Sequence, residues 1–423
     1  MKVVQLSGAE FRALVASLAP WMLMAQSLIA APSADWPQFL GPHRNGTYTG
    51  RSLAAVWPTE GPPVLWKRDV GAGFAGPSVG NDRLILFHRL GDQAVVECLE
   101  ARTGKEVWKA GYPTDYQDDF GFDNGPRATP AVADNRVFTF GAEGGLYCWN
   151  LTNGQKLWSI DTARAFDTSK GFFGRACSPL VWSNLVIVTL GGRAGAGIVA
   201  FDITSGKVEW KATDDEASYS SPISTSINGR TYVLALAREA LVSLNPGDGR
   251  LLFRYPWRPA MDASVTSATP LVVDELIFIS ASYGAGARLL RFKAAGPELI
   301  WAADDVLSNH YATSVQRQGF LYGWHGRQEQ GCDFRCVELK TGKVRWIQPG
   351  LKAGTVTLAG EELLLLTERG ELLRLPASPN AFKPTARAQV LPSGVRAAPA
   401  LANGLFYARS ENRLVCLDLT RQP

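Results

Sequence analysis

One segment that recurs along the chain restricts its fold more than any other feature. The copy at residues 146–158 reads LYCWNLTNGQKLW, and close copies end at Trp108, Trp210 and Trp346. Each copy contains an apolar run, a turn with glycine and a second run that ends in tryptophan, which is the pattern of a β-hairpin. Weaker copies lie at residues 243–253, 292–301, 373–382 and from 415 onward. Such a hairpin cannot bury its apolar face alone, so the pattern predicts a stack of equivalent units.

The spacing of the repeat indicates how many strands each unit holds. Its aromatic marks are about 45 residues apart, the length of four strands with their turns, which is one blade of a β-propeller. The marks are Trp66, Trp108, Trp158, Trp210, Phe253, Trp301 and Trp346. A second mark, a strand pair that opens with a small residue, starts at Gly76, Thr129, Ser178, Ser221, Thr269, Thr313, Thr355 and Ala398. We therefore predict an all-β fold, an eight-bladed β-propeller of four-stranded antiparallel blades over residues 35–423.

The two ends of the repeat region are each incomplete. The last copy holds only one strand after its opening pair, at residues 415–419, while the segment PVLWK at residues 63–67 stands alone before the first full copy. Pairing these two segments would complete the eighth blade and remove the free sheet edges of an open ring. We expect the N-terminal strand to close the propeller.

The first 34 residues differ from the rest of the chain. Lys2 and Arg12 precede an apolar stretch at residues 13–31, which is followed by small residues up to Ala34. This composition predicts a signal peptide, and therefore a secreted protein in the periplasm or outside the cell. An N-terminal membrane anchor is the alternative for the same segment. No later stretch has 18 unbroken apolar residues, so we expect no membrane span in the mature chain.

The six cysteines do not form a disulfide framework in this scheme. Cys98, Cys148, Cys336 and Cys416 occupy the same position in four copies of the hairpin. Equivalent positions in separate blades are too far apart for a disulfide, which needs a short separation between Cα atoms. We expect these four residues to be small core side chains.

The repeats resemble those of the pyrroloquinoline-quinone-type (PQQ-like) β-propeller superfamily. Its blade signature, A-x-D-x-x-T-G-x-x-x-W, is matched at residues 200–210 by Ala200, Asp202, Gly206 and Trp210. The stretch DWPQFLGPHRNG at residues 35–46 is similar to the opening of secreted bacterial members. The superfamily includes quinoprotein alcohol dehydrogenases and non-catalytic scaffolds, so the resemblance implies PQQ and Ca²⁺ as candidate cofactors without requiring either.

Several motifs of the catalytic members do not occur in this sequence. It has no Cys-Cys pair, no C-x-x-C-H haem motif and no lipobox cysteine near the leader. We therefore expect an exported binding or scaffold module that holds a protein, peptide or glycan through the loops of its channel mouth. The alternative is a PQQ-dependent dehydrogenase that oxidises an alcohol or a sugar. The formal net charge of +4 gives no argument for nucleic acid, and we expect a monomer with no nucleic-acid partner.

Arginines lie in three of the segments that join one blade to the next and gather at one mouth of the channel. Arg127, Arg175 and Arg396 each precede an inner strand by a few residues. Convergence of the three would create an anion site, and the fork of guanidinium donors suits a planar ligand with acid groups such as a quinone. The alternative is that each arginine pairs with a carboxylate or carbonyl of its own loop.

Acidic residues cluster in two of the same segments. Asp123 and Asn124 follow Asp118 and Asp119 in one loop, while Asp214, Asp215 and Glu216 are consecutive in another. Either cluster could contribute oxygens to Ca²⁺, which needs six to eight of them, and solvated acidic turns are the alternative. In the enzyme hypothesis, Asp123 or Asp215 would hold Ca²⁺ or act as the base.

An insertion near residue 327 brings together side chains suited to proton transfer or recognition. It reads WHGRQEQG at residues 324–331 and contains His325, Arg327 and Glu329. His310 lies in the preceding connecting segment. His325 is a candidate for orienting a substrate, and His310, Arg327 and Glu329 are candidates for binding a substrate or partner. Structural histidines held by their own hydrogen bonds are the alternative.

Overall fold

Antiparallel strands account for nearly all regular structure in the described part of this protein. The computed structural model describes residues 34–293 and 295–422. The predicted leader, residues 1–34, lies outside the described residues except for Ala34. The strands of the first four blades follow the chain in order, and each blade is a meander whose first strand is innermost.

Blade 1 contains β3 (Ser78–Gly80), β4 (Arg83–Leu90), β5 (Gln93–Glu100) and β6 (Glu106–Pro113). Blade 2 contains β7 (Ala131–Ala133), β8 (Arg136–Phe140), β9 (Gly145–Asn150) and β10 (Lys156–Asp161), and is followed by a short helix, α1 (Thr162–Phe166). Blade 3 contains β11 (Leu180–Trp182), β12 (Leu185–Thr189), β13 (Ile198–Asp202) and β14 (Val208–Ala212). Blade 4 contains β15 (Ile223–Ile227), β16 (Arg230–Leu236), β17 (Ala240–Leu244) and β18 (Leu251–Pro256).

The remaining blades repeat this order, with two additions from the N-terminal region. Blade 5 contains β19 (Leu271–Val273), β20 (Leu276–Ala281), β21 (Gly286–Arg291) and β22 (Glu298–Ala303). Blade 6 contains β23 (Val315–Arg317), β24 (Phe320–His325), β25 (Asp333–Glu338) and β26 (Val344–Gln348). Blade 7 contains β27 (Gly354–Ala359), β28 (Glu362–Thr367), β29 (Glu371–Pro376) and β30 (Ala386–Gln389), with β1 (Thr47–Tyr48) added parallel to β27. Blade 8 contains β31 (Ala400–Ala402), β32 (Leu405–Arg409), β33 (Arg413–Asp418) and β2 (Val64–Asp69).

The ring closes through the N-terminal strand, as predicted. Strand β2 pairs antiparallel with β33 and becomes the outer strand of blade 8, with Trp66 opposite Cys416. The eight sheets therefore form the predicted eight-bladed propeller of four-stranded antiparallel blades. Closure removes the two free edges that an open ring would expose at its seam.

Tryptophans at the end of six of the repeats join neighbouring blades. Each indole N–H donates to a carbonyl in the turn between the third and fourth strands of the next blade, at distances of 2.7–3.0 Å. The pairs are Trp66 with Ala101, Trp108 with Leu151, Trp158 with Ile203, Trp210 with Pro246, Trp301 with Leu339 and Trp346 with Ser378. We call this end of the ring the turn face.

Glycine is required in these turns for two reasons. Gly154 has a φ of +71°, a conformation that costs energy in other residues. It also lies against the indole of Trp108, because a Cβ atom added to Gly154 would be 2.5 Å from that ring. The glycine and tryptophan marks of the sequence are therefore the two halves of one contact between blades.

The small residue that opens each inner strand has a similar role near the channel. The backbone N–H of Thr129 donates to Ser178 Oγ at 2.9 Å, and the N–H of Ser178 donates to Ser221 Oγ at 2.9 Å. The N–H of Thr269 donates to Thr313 Oγ1 at 3.0 Å. Hydroxyls at this position thus satisfy backbone donors of the adjacent blade, which explains the second sequence mark.

The cysteines are core residues. All six are buried and free, and Cys98 lies opposite Trp108 across the β5 and β6 pair. Burial raises the pKa of Cys98 and Cys148 to about 12, so these thiols stay protonated and unreactive at neutral pH. The prediction made from their equivalent positions is confirmed.

Residues 35–48 cross the channel at the turn face and form what we call the plug. Trp36 exchanges two backbone hydrogen bonds with Val79 of blade 1, at 2.9 and 2.8 Å. At the other end of the plug, the N–H of Leu358 in blade 7 donates to the carbonyl of Gly46 at 2.9 Å. The channel is therefore closed at one end and open at the other, which we call the mouth.

Candidate functional site

A cavity of about 210 Å³ lies between the plug and the mouth. Phe39 and Leu40 of the plug contribute to its lining, and the connecting segments between blades form much of its wall. Seven phenylalanine and tyrosine side chains of the described residues line it: Phe39, Phe74, Phe122, Phe173, Tyr219, Tyr283 and Tyr311. The connecting segments therefore gather at one mouth as predicted, and they enclose a mostly aromatic cup.

Arg127 reaches the cavity but holds its own loop together. Its guanidinium donates to Asp118 Oδ2 at 3.2 Å, to the carbonyl of Asp123 at 2.9 Å and to the carbonyl of Gly125 at 3.0 Å. Its side chain is 8% exposed and that of Asp118 is fully buried. Both of its Nη atoms thus donate within the loop at residues 118–127.

Arg175 lies beside the cavity in a separate cleft. It donates to the carbonyl of Glu143 at 3.0 Å, and to the carbonyl and hydroxyl of Thr168. Burial lowers the pKa of Arg175, with nearby Glu143 and Asp161 opposing that shift. The three arginines predicted to converge are therefore split, since Arg127 and Arg396 line the cup and Arg175 does not.

Arg396 is the most available of the three. Its Nε atom lies 3.3 Å from Glu368 Oε1, which also accepts a hydrogen bond from Tyr311. Its guanidinium lies 5.5 Å from the ring centre of Phe74 and 5.7 Å from that of Phe122. The Nη groups of Arg396 take part in no hydrogen bond among the described residues, so they can bind a ligand in the cup.

In the loop at residues 118–124, the side-chain oxygens accept hydrogen bonds mainly from the backbone of the loop itself. Asp118 Oδ2 accepts from the N–H groups of Phe122 and Asp123, and Asn124 Oδ1 accepts from the N–H of Asp118. Asp123 accepts from the N–H groups of Gly125 and Gly73. These oxygens satisfy loop donors, so the loop is not preorganised as a cation site.

The second acidic cluster lies away from the cup. Asp215 Oδ1 accepts from Arg254 Nε at 2.9 Å and Nη2 at 2.7 Å, and its side chain is 4% exposed. Asp214 Oδ1 accepts from the N–H of Gly195 at 2.6 Å. Neither aspartate lines the cup, so the structure separates Asp215 from the arginines with which a catalytic base would have to act.

His310 lines the cup and links three loops. Its Nε2 atom lies 3.0 Å from the Tyr283 hydroxyl, and its Nδ1 atom contacts Gln328 Oε1. A neutral imidazole that donates from Nδ1 and accepts at Nε2 satisfies both partners. Burial lowers the pKa of His310, which favours this neutral form.

The insertion at residues 326–331 lies next to this histidine. Arg327 stacks on the ring of Tyr283 at 4.3 Å and lies 3.4 Å from Glu329 Oε2. Glu329 also accepts from Gln328 at 3.1 Å and lines the cup, while Arg327 lies outside the cavity lining. The structure therefore brings His310, Glu329 and Arg327 together as predicted candidates for partner binding.

His325 is separated from this group. It ends β24, and its Nδ1 atom accepts from the N–H of Ser308 at 3.1 Å. Burial and the nearby charge of Arg335 lower the pKa of His325 to about 4, so it is neutral at physiological pH. It does not line the cup, where a group that orients a substrate would have to be.

The cup residues fit Ca²⁺ poorly. Glu329 is the single carboxylate among the cavity-lining residues, and it is already paired with Arg327 and Gln328. No group of three or more His, Cys, Asp or Glu side chains suited to a metal ion occurs within residues 34–293 and 295–422. The rings near the mouth are tilted by 41–60° to one another, so they form no flat platform for a quinone.

Sequence reasoning missed the apolar half of the cup. Phe122 and Phe173 lie in loops where only the polar and charged residues were candidates for the site. Phe39 belongs to the plug. The available signal was the presence of phenylalanine in the polar, glycine-rich segments DDFGFDNG and GFFG. Such residues are unexpected in solvated loops and indicate a packed or binding surface.

The protein is therefore a closed eight-bladed β-propeller, whose aromatic cup is open at the mouth and closed by the plug. The sequence model of a family described as outer membrane protein assembly factor BamB matches residues 91–348, more than half of the chain. The chain belongs to this family. A comparison with curated protein sequences gives no match.

Similar solved structures come from both branches of the superfamily. BamB from Moraxella catarrhalis aligns with a TM-score of 0.62 and 16% identity over 84% of this chain and 99% of that one. Quinohemoprotein alcohol dehydrogenase from Comamonas testosteroni aligns with a TM-score of 0.65 and 14% identity, over 92% and 81%. A europium-containing methanol dehydrogenase gives 0.63 and 11%, over 91% and 89%. At sequence identities this low, these structural alignments show a shared fold alone.

Across the part of the chain that the structure describes, no helix is both long and apolar enough to cross a bilayer.

Proposed function

We propose that this chain is a non-catalytic binding module that holds a protein partner at its mouth. The observation that carries the proposal is that the candidate catalytic residues are already bonded to other groups of the protein. Asp123, Asp215 and His325, the three candidate catalytic residues, all bind groups of the protein itself and lie outside the cup lining. The cup instead presents aromatic rings, and Phe122 is 51% exposed at its rim. Apolar surface of this kind is typical of protein recognition sites.

Family membership supports a protein partner. The family is described as outer membrane protein assembly factor BamB, and an assembly factor acts on other proteins. We also propose an exported, monomeric protein in the periplasm or outside the cell, for which the support is the apolar N-terminal segment and the family description. A glycan at the same aromatic cup is the less favoured ligand, because a protein partner needs no further assumption beyond the family.

The alternative function is PQQ-dependent oxidation of an alcohol or sugar. It is favoured by the position of the cup at the channel mouth, where a cofactor could bind, and by Arg396 in its lining. The Nη groups of Arg396 have no hydrogen bond among the described residues. It is disfavoured by the single carboxylate of the lining and by the tilted rings, which give Ca²⁺ and a stacked quinone few contacts. If PQQ were bound, Arg396 would be the residue to hold one of its acid groups.

The test is a pair of measurements on the purified chain. In the first, the protein is titrated with PQQ and Ca²⁺, and cofactor absorbance and dye-linked alcohol oxidation are recorded. We expect neither stoichiometric uptake nor turnover, and saturable uptake with turnover would overturn the proposal.

The second measurement locates the partner. A photoreactive phenylalanine analogue replaces Phe122 at the rim, and the same analogue replaces Leu251, which is 46% exposed on an outer strand, as the control. We expect a discrete crosslinked protein from the native host at position 122 and not at position 251. Equal crosslinking at both positions would contradict recognition at the mouth.

A further inference from the structure

Three buried arginines around the channel have no acidic partner. Arg44, Arg175 and Arg409 are 2%, 6% and 1% exposed, and none forms an ion pair among the described residues. Each donates mainly to backbone carbonyls instead: Arg44 to those of Ser178 and Pro179, Arg409 to those of Gly71, Ser410 and Glu411. Backbone carbonyls thus take the place of a bonded carboxylate, while Glu143 and Asp161 act on Arg175, and Asp123 and Glu411 act on Arg409, without forming an ion pair.

Two of these charges lie close to the cup. Arg44 binds the carbonyl of Ser178, a residue of the cup lining, and Arg175 is adjacent to Ala176, another lining residue. Burial lowers the pKa of Arg44 and of Arg409 to about 10, which still leaves both protonated at neutral pH. The donors Arg44 Nε, Arg175 Nε and Arg409 Nη1 are buried and have no hydrogen-bond partner among the residues that the structure describes. Arg44 and Arg175 therefore place positive charge that no ion pair among the described residues neutralises beside the cup, and this charge favours a bound anion there.

Two groups inside the cup can contact that anion directly. Arg396 lies between Phe74 and Phe122, and its Nη groups have no hydrogen bond among the described residues. Thr355 Oγ1 lines the same cavity, is buried and has no hydrogen-bond partner in the described part of the chain. Buried hydroxyls in folded proteins nearly always have a partner, so a vacant one on a cavity wall points to a ligand group.

The apolar surface continues beyond the cup. Phe120 and Phe122 are 55% and 51% exposed, and Phe120 packs against Phe173 at 5.0 Å between ring centres. A small molecule that filled the cup would leave Phe120 in water. A polypeptide segment would cover both the cup and this ridge of phenylalanines.

We propose that the cup binds a polypeptide segment in which a carboxylate side chain is next to an aromatic one. The aromatic side chain enters the cup, and the carboxylate binds Arg396 with Thr355 close by. This inference rests on the proposed binding function and specifies its ligand. Charge complementarity selects the acidic residue, since the surrounding arginines would repel a basic one.

The experiment is panning of a phage-displayed random heptapeptide library on the purified full chain. We expect enriched peptides to contain Asp or Glu within two positions of Phe, Tyr or Trp. Panning on Arg396→Gln should remove the acidic preference and keep the aromatic one, with at least tenfold weaker binding of the best wild-type peptide. The matched control is Arg387→Gln, because Arg387 is also paired with a glutamate of blade 7, Glu371, but lies outside the cup.

The possible results separate this inference from the proposed function. Enrichment of aromatic peptides without an acidic preference would overturn the ligand assignment and leave the binding function in place. Equal loss in Arg387→Gln and Arg396→Gln would also overturn it, by showing a general effect on blade 7. Competition by 3-phenylpropanoate as strong as that by the peptide would assign the site to a small carboxylate instead of a polypeptide. Uptake of PQQ with turnover would overturn the proposed function itself.

Discussion

The turn face and the mouth of this propeller are built from the same strands in different ways. At the turn face, one contact is repeated with little change: an indole N–H donates to the next blade, and a glycine lies against the indole ring. At the mouth, each loop has its own hydrogen bonds, such as those of Arg127 to Asp118 or of His310 to Tyr283. The repeat therefore secures neighbouring blades at one end of the ring and leaves the loops at the other end free to vary.

The largest expected effect is the loss of one tryptophan at the turn face. Trp108→Ala removes a buried indole and its hydrogen bond to Leu151, and should lower the free energy of unfolding by about 3–5 kcal/mol. The measurement is urea denaturation followed by circular dichroism. Trp108→Phe is the control and should cost only about 1–2 kcal/mol, because Phe253 already occupies the equivalent position of blade 4. A loss from Trp108→Ala no greater than that expected for Trp108→Phe would show that the indole does not join the blades.

The next effect concerns the closing seam, where Glu97 of blade 1 meets Arg68 of blade 8 at 2.9 Å. Burial alone would raise the pKa of Glu97, but His88, Lys109 and Arg68 outweigh it and lower that pKa to about 2. The stabilisation is therefore complete above about pH 4.5 and is lost as the pH falls toward 2. Glu97→Gln should cost about 2 kcal/mol at pH 7 and show a weaker loss of stability across that acidic range. Parallel pH profiles for the variant and the wild type would contradict this assignment.

A smaller effect tests whether the turn glycines are needed for contact as well as for conformation. Gly154→Ala places a Cβ atom against Trp108, while Gly360→Ala has a similar positive φ with nothing within 4 Å. Both variants should lose about 1 kcal/mol from the backbone conformation, and Gly154→Ala should lose at least another 1 kcal/mol from displacement of the indole. The difference between their urea midpoints measures the contact, and equal midpoints would refute it.

The smallest effect on stability is expected at the mouth. Phe122→Ala removes a half-exposed ring at the rim and should change the free energy of unfolding by no more than about 0.5 kcal/mol. The same variant should weaken binding of a peptide selected on the wild type by at least tenfold, measured by fluorescence polarisation. Loss of stability comparable to that of Trp108→Ala would mean that the mouth, like the turn face, holds the ring together.

Much of the fold was predictable because its determinants are local and repeated. The spacing of Trp108, Trp158 and Trp210 gave the blade length, and the lone strand around Trp66 predicted the ring closure. The candidate site was only partly predictable. Arg127 and Arg396 do line the cup, but Arg175 lies in a neighbouring cleft. A loop arginine can donate to its own loop or to a ligand, and residue identity does not decide between the two.

The all-β class, the number of blades, their strand order and the burial of the cysteines follow from the amino-acid sequence alone, because each depends on a pattern that recurs with a fixed period. The floor and wall of the cup depend on the folded ring. The plug became the floor of a cup because Trp36 pairs with Val79, which the sequence places 43 residues later. Phe39 of the plug, Phe122 and Phe173 line one cavity only when the plug and the loops of different blades converge. Contacts between distant, irregular segments have no period, so the binding surface appears only once the ring has closed.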